Sequence, residues 1–356
     1  MTNARDHARD PDCASIAFLV PFLHIVLTSQ GSKHRPTARS RAGTKRALPR
    51  VLCIVGPTSG GKTKLGIELA KQFDGEIINA DARQVYSGFD IGTGKPSDGS
   101  QGVYRRRKTF LVDGVPHELM DFLPPTRTFS VAEWRDETMK AIRRITARHH
   151  LPIVVGGTGL YIQALVDHYR IPEVPSQPAF RSAMESKTLD ELVVSMMRLD
   201  PDAARVVDLK NRRRVLRALE VITFTGKPFS KQRTREEPDV EVLMIAPKHS
   251  REALHERINA SVEKMIERGW IDEIRLLRDR GVAWNAPAMS SIGYRELGAY
   301  IRGETTLDLA IEQVKRATRQ YAKRQMTWFR RDERIHWIAD DSEAMTLVSR
   351  WLTQMD

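Results

Sequence analysis

The chain of 356 residues predicts an α/β fold: a parallel-sheet core with helices on both faces and a helical insertion domain. Three observations lead there. Short β-branched apolar runs alternate with amphipathic stretches of helical period. A glycine-rich run joins the first strand to the first helix. A proline-bounded helical stretch then interrupts the alternation before another strand resumes it.

The elements follow in order. Val51 to Val55 reads as a buried strand, and a helix is expected from about Lys62 to Phe73, with Leu65, Leu69, Ala70 and Phe73 inward. Glu76 to Asn79 is a second strand, ending in Ala80 and Asp81. Ser130 to about Arg148 is a helix. Its start carries a capping box, Ser130 with Glu133, and a hydrophobic staple, Phe129 with Trp134. Pro152 ends that region, and Ile153 to Val155 is the next strand. Pro172, Pro175 and Pro178 mark a boundary, and helical sequence runs on to about Phe224. Within it Asp200-Pro201 predicts a helix start and Gly226 a helix end. Glu241 to Ala246 returns to strand pattern, and the chain beyond Arg251 is mostly helical, punctuated by Gly269, Gly281 and Gly303. This gives an N-terminal extension at 1–48, a first part of the core at 49–175, the insertion at 176–237, and a second part of the core with basic C-terminal helices at 238–356.

Composition narrows the partners. The formal net charge of +12 favours a polyanion, nucleic acid before membrane. The two cysteines, Cys13 and Cys53, build neither a zinc site nor a disulfide framework, and a reducing, cytoplasmic setting is expected. Ala14 to Leu27 is apolar but broken by Pro21 and too short to span a bilayer. Ser32 to Arg50 is rich in Lys, Arg, Ser and Thr and reads as disordered. No function is assigned to the extension.

Gly56-Pro57-Thr58-Ser59-Gly60-Gly61-Lys62-Thr63 fits the phosphate-loop pattern GxxxxGK[ST], between a strand and a helix as that pattern requires. Backbone N–H groups of such a P-loop cradle phosphate oxygens, and the helix N-terminus adds favourable partial charge. Lys62 supplies a positive charge, and the Thr63 hydroxyl can ligate Mg²⁺. The motif specifies a di- or triphosphate, not ATP in particular.

A P-loop NTPase usually holds Mg²⁺ with an acidic residue at the end of a second core strand. Here the strand Ile153 to Val155 ends in Gly156-Gly157-Thr158-Gly159, without a carboxylate. The acid ends the earlier strand instead, at Asp81, and parallel topology opens both strand ends onto the P-loop crevice. A carboxylate there orients a metal or takes a proton from a nucleophile; the bland reading is a loop cap. Loss of a diphosphate from an allylic carbon needs a stabilised leaving group, which a P-loop with Mg²⁺ supplies, and an aromatic amine attacking that carbon benefits from a base.

With these residues in view, the chain resembles the tRNA dimethylallyltransferase (tRNA isopentenyltransferase) family over about residues 50–337. The blocks are GPTSGGKT at 56–63, EIINADARQVYSGFDIGTGKP at 76–96, VPHELMD at 115–121, PIVVGGTGLYI at 152–162, RRVLRALEVITFTGKPFS at 213–230, IGYRE at 292–296 and TRQYAKRQMTWFRR at 318–331. The resemblance implies transfer of a dimethylallyl group from dimethylallyl diphosphate to the exocyclic N-6 amine of the adenosine beside the anticodon, flipped from its stack. It implies Asp81 as general base and Thr158 in the reaction channel. The P-loop would bind the diphosphate, with Thr63 on Mg²⁺ and Arg251 assisting. Asp81, Ala82, Arg83 and Gln84 would contact the target nucleotide. Arg181 would touch tRNA from the insertion, as would the run Asn211, Arg212, Arg213 and Arg214. The partners implied are the tRNA anticodon stem-loop and dimethylallyl diphosphate, with no membrane and a monomeric enzyme. The chain departs from the family pattern at Asn211, where Asp is frequent, and at Gly60, where Ser is common.

Lys315, Arg316, Arg319, Lys323 and Arg324 recur at helical spacing, followed by Arg330 and Arg331, with Tyr321, Trp328 and Phe329 interleaved. The basic face predicts contact with the tRNA backbone, and Trp328 and Phe329 are expected in the core rather than stacked on bases. Three other functions compete. They are a P-loop small-molecule kinase, an isopentenyltransferase acting on free adenine nucleotides, and a non-catalytic tRNA binder. The absent acid after Val155 weighs against the first, and the insertion and basic helix against the second. A P-loop paired with Asp81 weighs against the third.

Overall fold

The computed structural model describes residues 48–96, 110–167, 174–232 and 237–354. The expected extension at 1–48, apart from its last residue, and Pro172 of the expected boundary lie outside them. The described residues fall into two compact units, one holding 48–96, 110–167 and 237–354, the other 174–232.

The larger unit is built on a seven-stranded sheet: β1 (Arg50–Ile54), β2 (Gly75–Asn79), β3 (Phe110–Val112), β4 (Val115–Glu118), β5 (Leu151–Val155), β6 (Glu241–Pro247) and β7 (Ile335–Ile338). The order is β3-β4-β2-β5-β1-β6-β7, and every pair is parallel except β3 with β4. Side chains alternate across the pleat, so each strand feeds two cores. Val51, Cys53, Ile78 and Val154 pack on one face, against Trp134 and Ile142 of α2 (Val131–Ala147), Leu165 of α3 (Gly159–Val166) and Phe329. Leu52, Ile54, Ile77 and Ile153 pack on the other, against Leu65 and Leu69 of α1 (Lys62–Gln72). Burial in this sheet pushes the Cys53 thiol up to about 12, so it is an inert core residue.

Most expected elements are present, within a residue or two at their ends. The Ser130 capping box forms in full. Pro152 does not stop short of a strand; it is the second residue of β5. It is tolerated because pairing with β1 begins only at Ile153. The β3–β4 hairpin was not expected, although Asp113-Gly114 between two apolar runs signals it; both residues have positive φ, 50° and 80°. Strand β7 was also hidden, being four residues long between helices.

The smaller unit holds α4 (Pro178–Ala183), α5 (Leu189–Leu199), α6 (Arg212–Thr225) and α7 (Phe229–Gln232) around Phe180, Leu192, Met196, Val215 and Leu219. Gly226 ends α6 with φ 67°, as expected. Asp200 precedes a short 3-10 turn at Pro201–Arg205, but its side chain does not cap it. Its carboxylate instead accepts from Ser230 N and Ser230 Oγ, both at 2.7 Å, tying α7 down.

The rest of the larger unit is helical: α8 (Arg251–Glu267), α9 (Trp270–Asp279), α10 (Tyr294–Ile301), α11 (Leu307–Phe329) and α12 (Asp341–Thr353). Trp270, Ile274, Tyr294, Leu297 and Val314 from this layer bury Val85 and Phe89 of the segment that follows β2. No helix among the described residues is long and apolar enough to cross a membrane.

Candidate active site

A crevice of about 620 Å³ opens at the carboxyl ends of the strands in the larger unit. Thr58 to Lys64, Asp81 to Gln84 and Thr158 all line it, so topology gathers what the sequence separates. The P-loop runs from β1 into α1, with Gly56, Ser59 and Gly61 at positive φ. Gly60 suits a tight turn: a Cβ there would lie 2.9 Å from the Pro57 carbonyl oxygen, so a serine would force that carbonyl to shift. Lys62 Nζ donates to Pro57 O at 2.7 Å. Burial lowers its ammonium to about 8, against the opposing pull of Asp81.

Asp81 is held from both sides. Asn79 Oδ1 accepts from Asp81 N at 3.0 Å, and Asn79 Nδ2 donates to Asp81 O and to Leu119 O. Asp81 Oδ1 accepts from Arg83 N at 2.7 Å, and Oδ2 takes no hydrogen bond from the described residues. Thr158 Oγ1 accepts from Ala82 N at 3.1 Å. Tyr321, from α11, lines the crevice with Thr158; burial, then the charge of Asp81, holds its phenol above the usual tyrosine range. Gln84 Nε2 donates to Thr93 O and Gly94 O, and Arg83 reaches Pro287 O and Ser290 Oγ.

The loop carrying these residues is braced from below. Lys95, 4 % exposed, donates to Tyr86 O, Asp90 and Asp121. The Glu273 carboxylate accepts from the backbone of Asp90, Ile91 and Gly92 and from the Tyr294 hydroxyl. Trp270 fills the space between Gly92 and Gly293 so closely that a Cβ on either would overlap its ring.

Gln325 was not singled out from the sequence, yet it joins two walls of the site. Its Oε1 accepts from Thr58 N at 2.8 Å, and its Nε2 donates to Gly157 O at 2.8 Å. Tyr321, Arg324 and Trp270 also line the crevice without having been assigned there. The signal for the α11 residues lies in the TRQYAKRQMTWFRR block, whose cations and aromatics were noted without a place in the crevice.

Arg251 is exposed on the first turn of α8 and does not line the crevice. Arg257 of the same helix lies against the P-loop, its Nε donating to Ser59 O at 2.9 Å. In the smaller unit, Arg181 makes a two-pronged pair with the fully buried Glu220, at 3.0 and 2.8 Å. Arg212 donates to the carbonyls of Met184, Glu185 and Lys187, and Asn211 caps α6. Arg213 and Arg214 are exposed. On α11, Lys315 pairs with Glu263 and Glu312, and Arg319 with Asn259, while Arg316, Lys323 and Arg324 face solvent. Phe329 is in the core, but Trp328 is 37 % exposed, contrary to expectation. Successive helical positions are turned about 100° from each other, so burying Phe329 leaves Trp328 toward the edge of the core.

Fold and crevice together define a P-loop α/β protein. A family model described as IPP transferase matches residues 84–332, and one described as isopentenyl transferase matches 49–118. The chain is 40 % identical over 311 residues to a tRNA dimethylallyltransferase of Roseiflexus sp. (strain RS-1), covering 85 % of this chain and 98 % of that one. It is 43 % identical over 295 residues to one from Geobacillus thermodenitrificans (strain NG80-2), covering 81 % and 90 %. Its fold is similar to the tRNA isopentenylpyrophosphate transferase of Bacillus halodurans, with TM-score 0.61, 36 % identity and coverage of 85 % and 95 %. It is also similar to a eukaryotic dimethylallyltransferase acting on tRNA, with TM-score 0.63, 30 % identity and coverage of 78 % and 69 %. The chain belongs to the IPP transferase family.

Proposed function

We propose that this protein transfers a dimethylallyl group from dimethylallyl diphosphate to the N-6 amine of the adenosine beside the anticodon in tRNA, releasing diphosphate. The observation that carries the reading is the shared crevice: a P-loop at one wall and an Asp81 carboxylate at another. In this reading the P-loop N–H groups and Lys62 hold the diphosphate and stabilise it as it leaves. The bond from Arg257 to Ser59 O supports assistance from Arg257 in the role the resemblance implies for Arg251. The adenine enters beside Asp81, Ala82, Arg83 and Gln84. As the N-6 to carbon bond forms and the carbon–oxygen bond to diphosphate breaks, Asp81 accepts the amine proton. Thr158, anchored to Ala82 N, shapes the channel between them.

Oxygen donors at the P-loop suit Mg²⁺, which binds through few protein oxygens plus substrate phosphates. Thr63 is the protein ligand expected, and the ion would neutralise charge on the leaving diphosphate. In the smaller unit Arg213 and Arg214 are the exposed cations of the run expected to meet tRNA; Arg181 and Arg212 support the helices that present them. We assign the activity to a monomer in the cytoplasm.

The test is transfer of label. The protein is mixed with labelled dimethylallyl diphosphate, Mg²⁺, and either an adenine-bearing anticodon stem-loop or AMP. Label in the RNA alone supports the proposal. Label in AMP alone assigns the protein to nucleotide prenylation, and label in neither rejects both.

A further inference from the structure

The stripe on α11 that lines the crevice does not stop where the crevice does. Thr318, Tyr321 and Gln325 follow one another at steps of three and four, so they share one face of the helix. The next position on that face is Trp328. Its ring lies over Gly159, where a Cβ would overlap it, and Gly159 directly follows the channel residue Thr158. Trp328 keeps 37 % of its surface exposed, and Leu160, the next residue along α3, keeps 51 %. The adjacent Phe329 is 2 % exposed, so the helix had a buried aromatic position available and left the larger ring outside.

The surroundings indicate what such a ring would meet. Arg324, one turn back, is exposed and lines the crevice, with its Cζ 5.8 Å from the Tyr321 ring centroid. Lys323, Arg330 and Arg331 are exposed on the same helix end. An exposed aromatic face among cations is complementary to an unpaired base on a phosphate backbone. A protein surface partner or a lipid would call for a wider apolar area than one indole and one leucine.

We propose that Trp328, seated over Gly159, is a stacking platform for the nucleotide next to the one that enters the crevice. The inference rests on RNA being the acceptor. A base that leaves its stack to reach Asp81 deprives its neighbour of a stacking partner, and the indole face replaces that partner at the mouth of the channel.

The experiment measures stem-loop binding and transfer by the unmodified protein, Trp328→Ala and Trp328→Phe. It uses an intact anticodon stem-loop and two abasic versions, lacking the base on either side of the target adenosine. Trp328→Ala is expected to weaken binding of the intact stem-loop by on the order of tenfold or more. KM for RNA should rise with kcat nearly unchanged, Phe should restore most of the loss, and binding of an alkyl diphosphate should be unaffected. Against one abasic stem-loop, the unmodified protein and Trp328→Ala should bind alike. If Trp328→Ala does not fold, fluorescence decides: the intact stem-loop quenches the indole of the unmodified protein, and that quenching is missing in Trp328→Phe and with one abasic stem-loop. Equal binding of the intact stem-loop by the protein and Trp328→Ala overturns the proposal, as does an equal loss on all three RNAs or quenching indifferent to both abasic sites. If the unmodified protein transfers nothing to RNA, the functional reading itself has failed, a result separable from these.

Discussion

Gln325 and Thr58 lie 267 positions apart in the chain, yet the amide oxygen of one accepts the backbone N–H of the other at 2.8 Å, at the lip of the P-loop. The amide nitrogen of Gln325 is spent on Gly157 O, so one side chain sets the gap between the P-loop and the turn after β5. Replacing it with Leu strands a donor and an acceptor, at a cost of about 1–3 kcal/mol each.

Gln325→Leu is therefore expected to weaken alkyl diphosphate binding and to raise KM for the diphosphate substrate more than KM for RNA. Isothermal titration with an alkyl diphosphate, alongside steady-state kinetics, checks this. Equal affinity in variant and parent would show that the bridge does not position the loop.

In the smaller unit, Glu220 is fully buried and receives Arg181, Arg217 and the Gln177 backbone N–H. Burial works against its charge, but bonds from Arg181 and Arg217 outweigh it and hold the carboxyl below its ordinary value. Glu220→Ala should destabilise this unit by about 2 kcal/mol or more, less than for a fully buried pair because both arginines are part-exposed. Limited proteolysis should then cut within 174–232 while the larger unit stays intact. RNA binding should fall through loss of structure, with Arg181→Lys milder than Glu220→Ala.

His117, on β4, gives a pH signature. Burial pushes its imidazole down to about 4 from 6.5, although the Val115 carbonyl and then Asp113 pull the other way. The folded value lies below the unfolded one, so the unfolded chain takes up the proton first as pH falls. Stability is full above 6.5 and declines as pH drops from 6.5 to 4, by at most about 3 kcal/mol. Glu76 adds to this lower down: burial is outweighed by bonds from Arg148 and His150, its value is depressed, and its contribution is lost below the ordinary carboxylate range. Protection factors of the core-sheet amides against hydrogen exchange should fall between pH 6.5 and 4.5, and His117→Gln should flatten that fall. An unchanged slope in the variant would remove His117 as the cause.

What could be read in the sequence was what is local. The P-loop is one contiguous run whose chemistry resides in its own backbone, and Asp81 followed from strand order because parallel strands share an open end. Gln325, Tyr321 and Trp328 could not be placed that way. Their roles depend on how α11 is rotated against the sheet, and a helical pattern of cations carries no such information. Arg251 and Arg257 differ by less than two turns of one helix, and only the packing of α8 decides which meets Ser59. The resemblance implies tRNA contact for Arg181 and Arg212, but their partners, the buried Glu220 and the carbonyls after α4, are invisible in the sequence until the helices fold.

The most direct measurement is made on the RNA product. An anticodon stem-loop is incubated with dimethylallyl diphosphate and Mg²⁺ and either the protein or Asp81→Asn, then digested to nucleosides for mass spectrometry. The account predicts one dimethylallyl group on the N-6 amine of the adenosine beside the anticodon. It predicts that Asp81→Asn makes this product at least about a hundredfold more slowly while binding the stem-loop nearly as well. Near-normal product from Asp81→Asn, or a dimethylallyl group on a different atom, would contradict it.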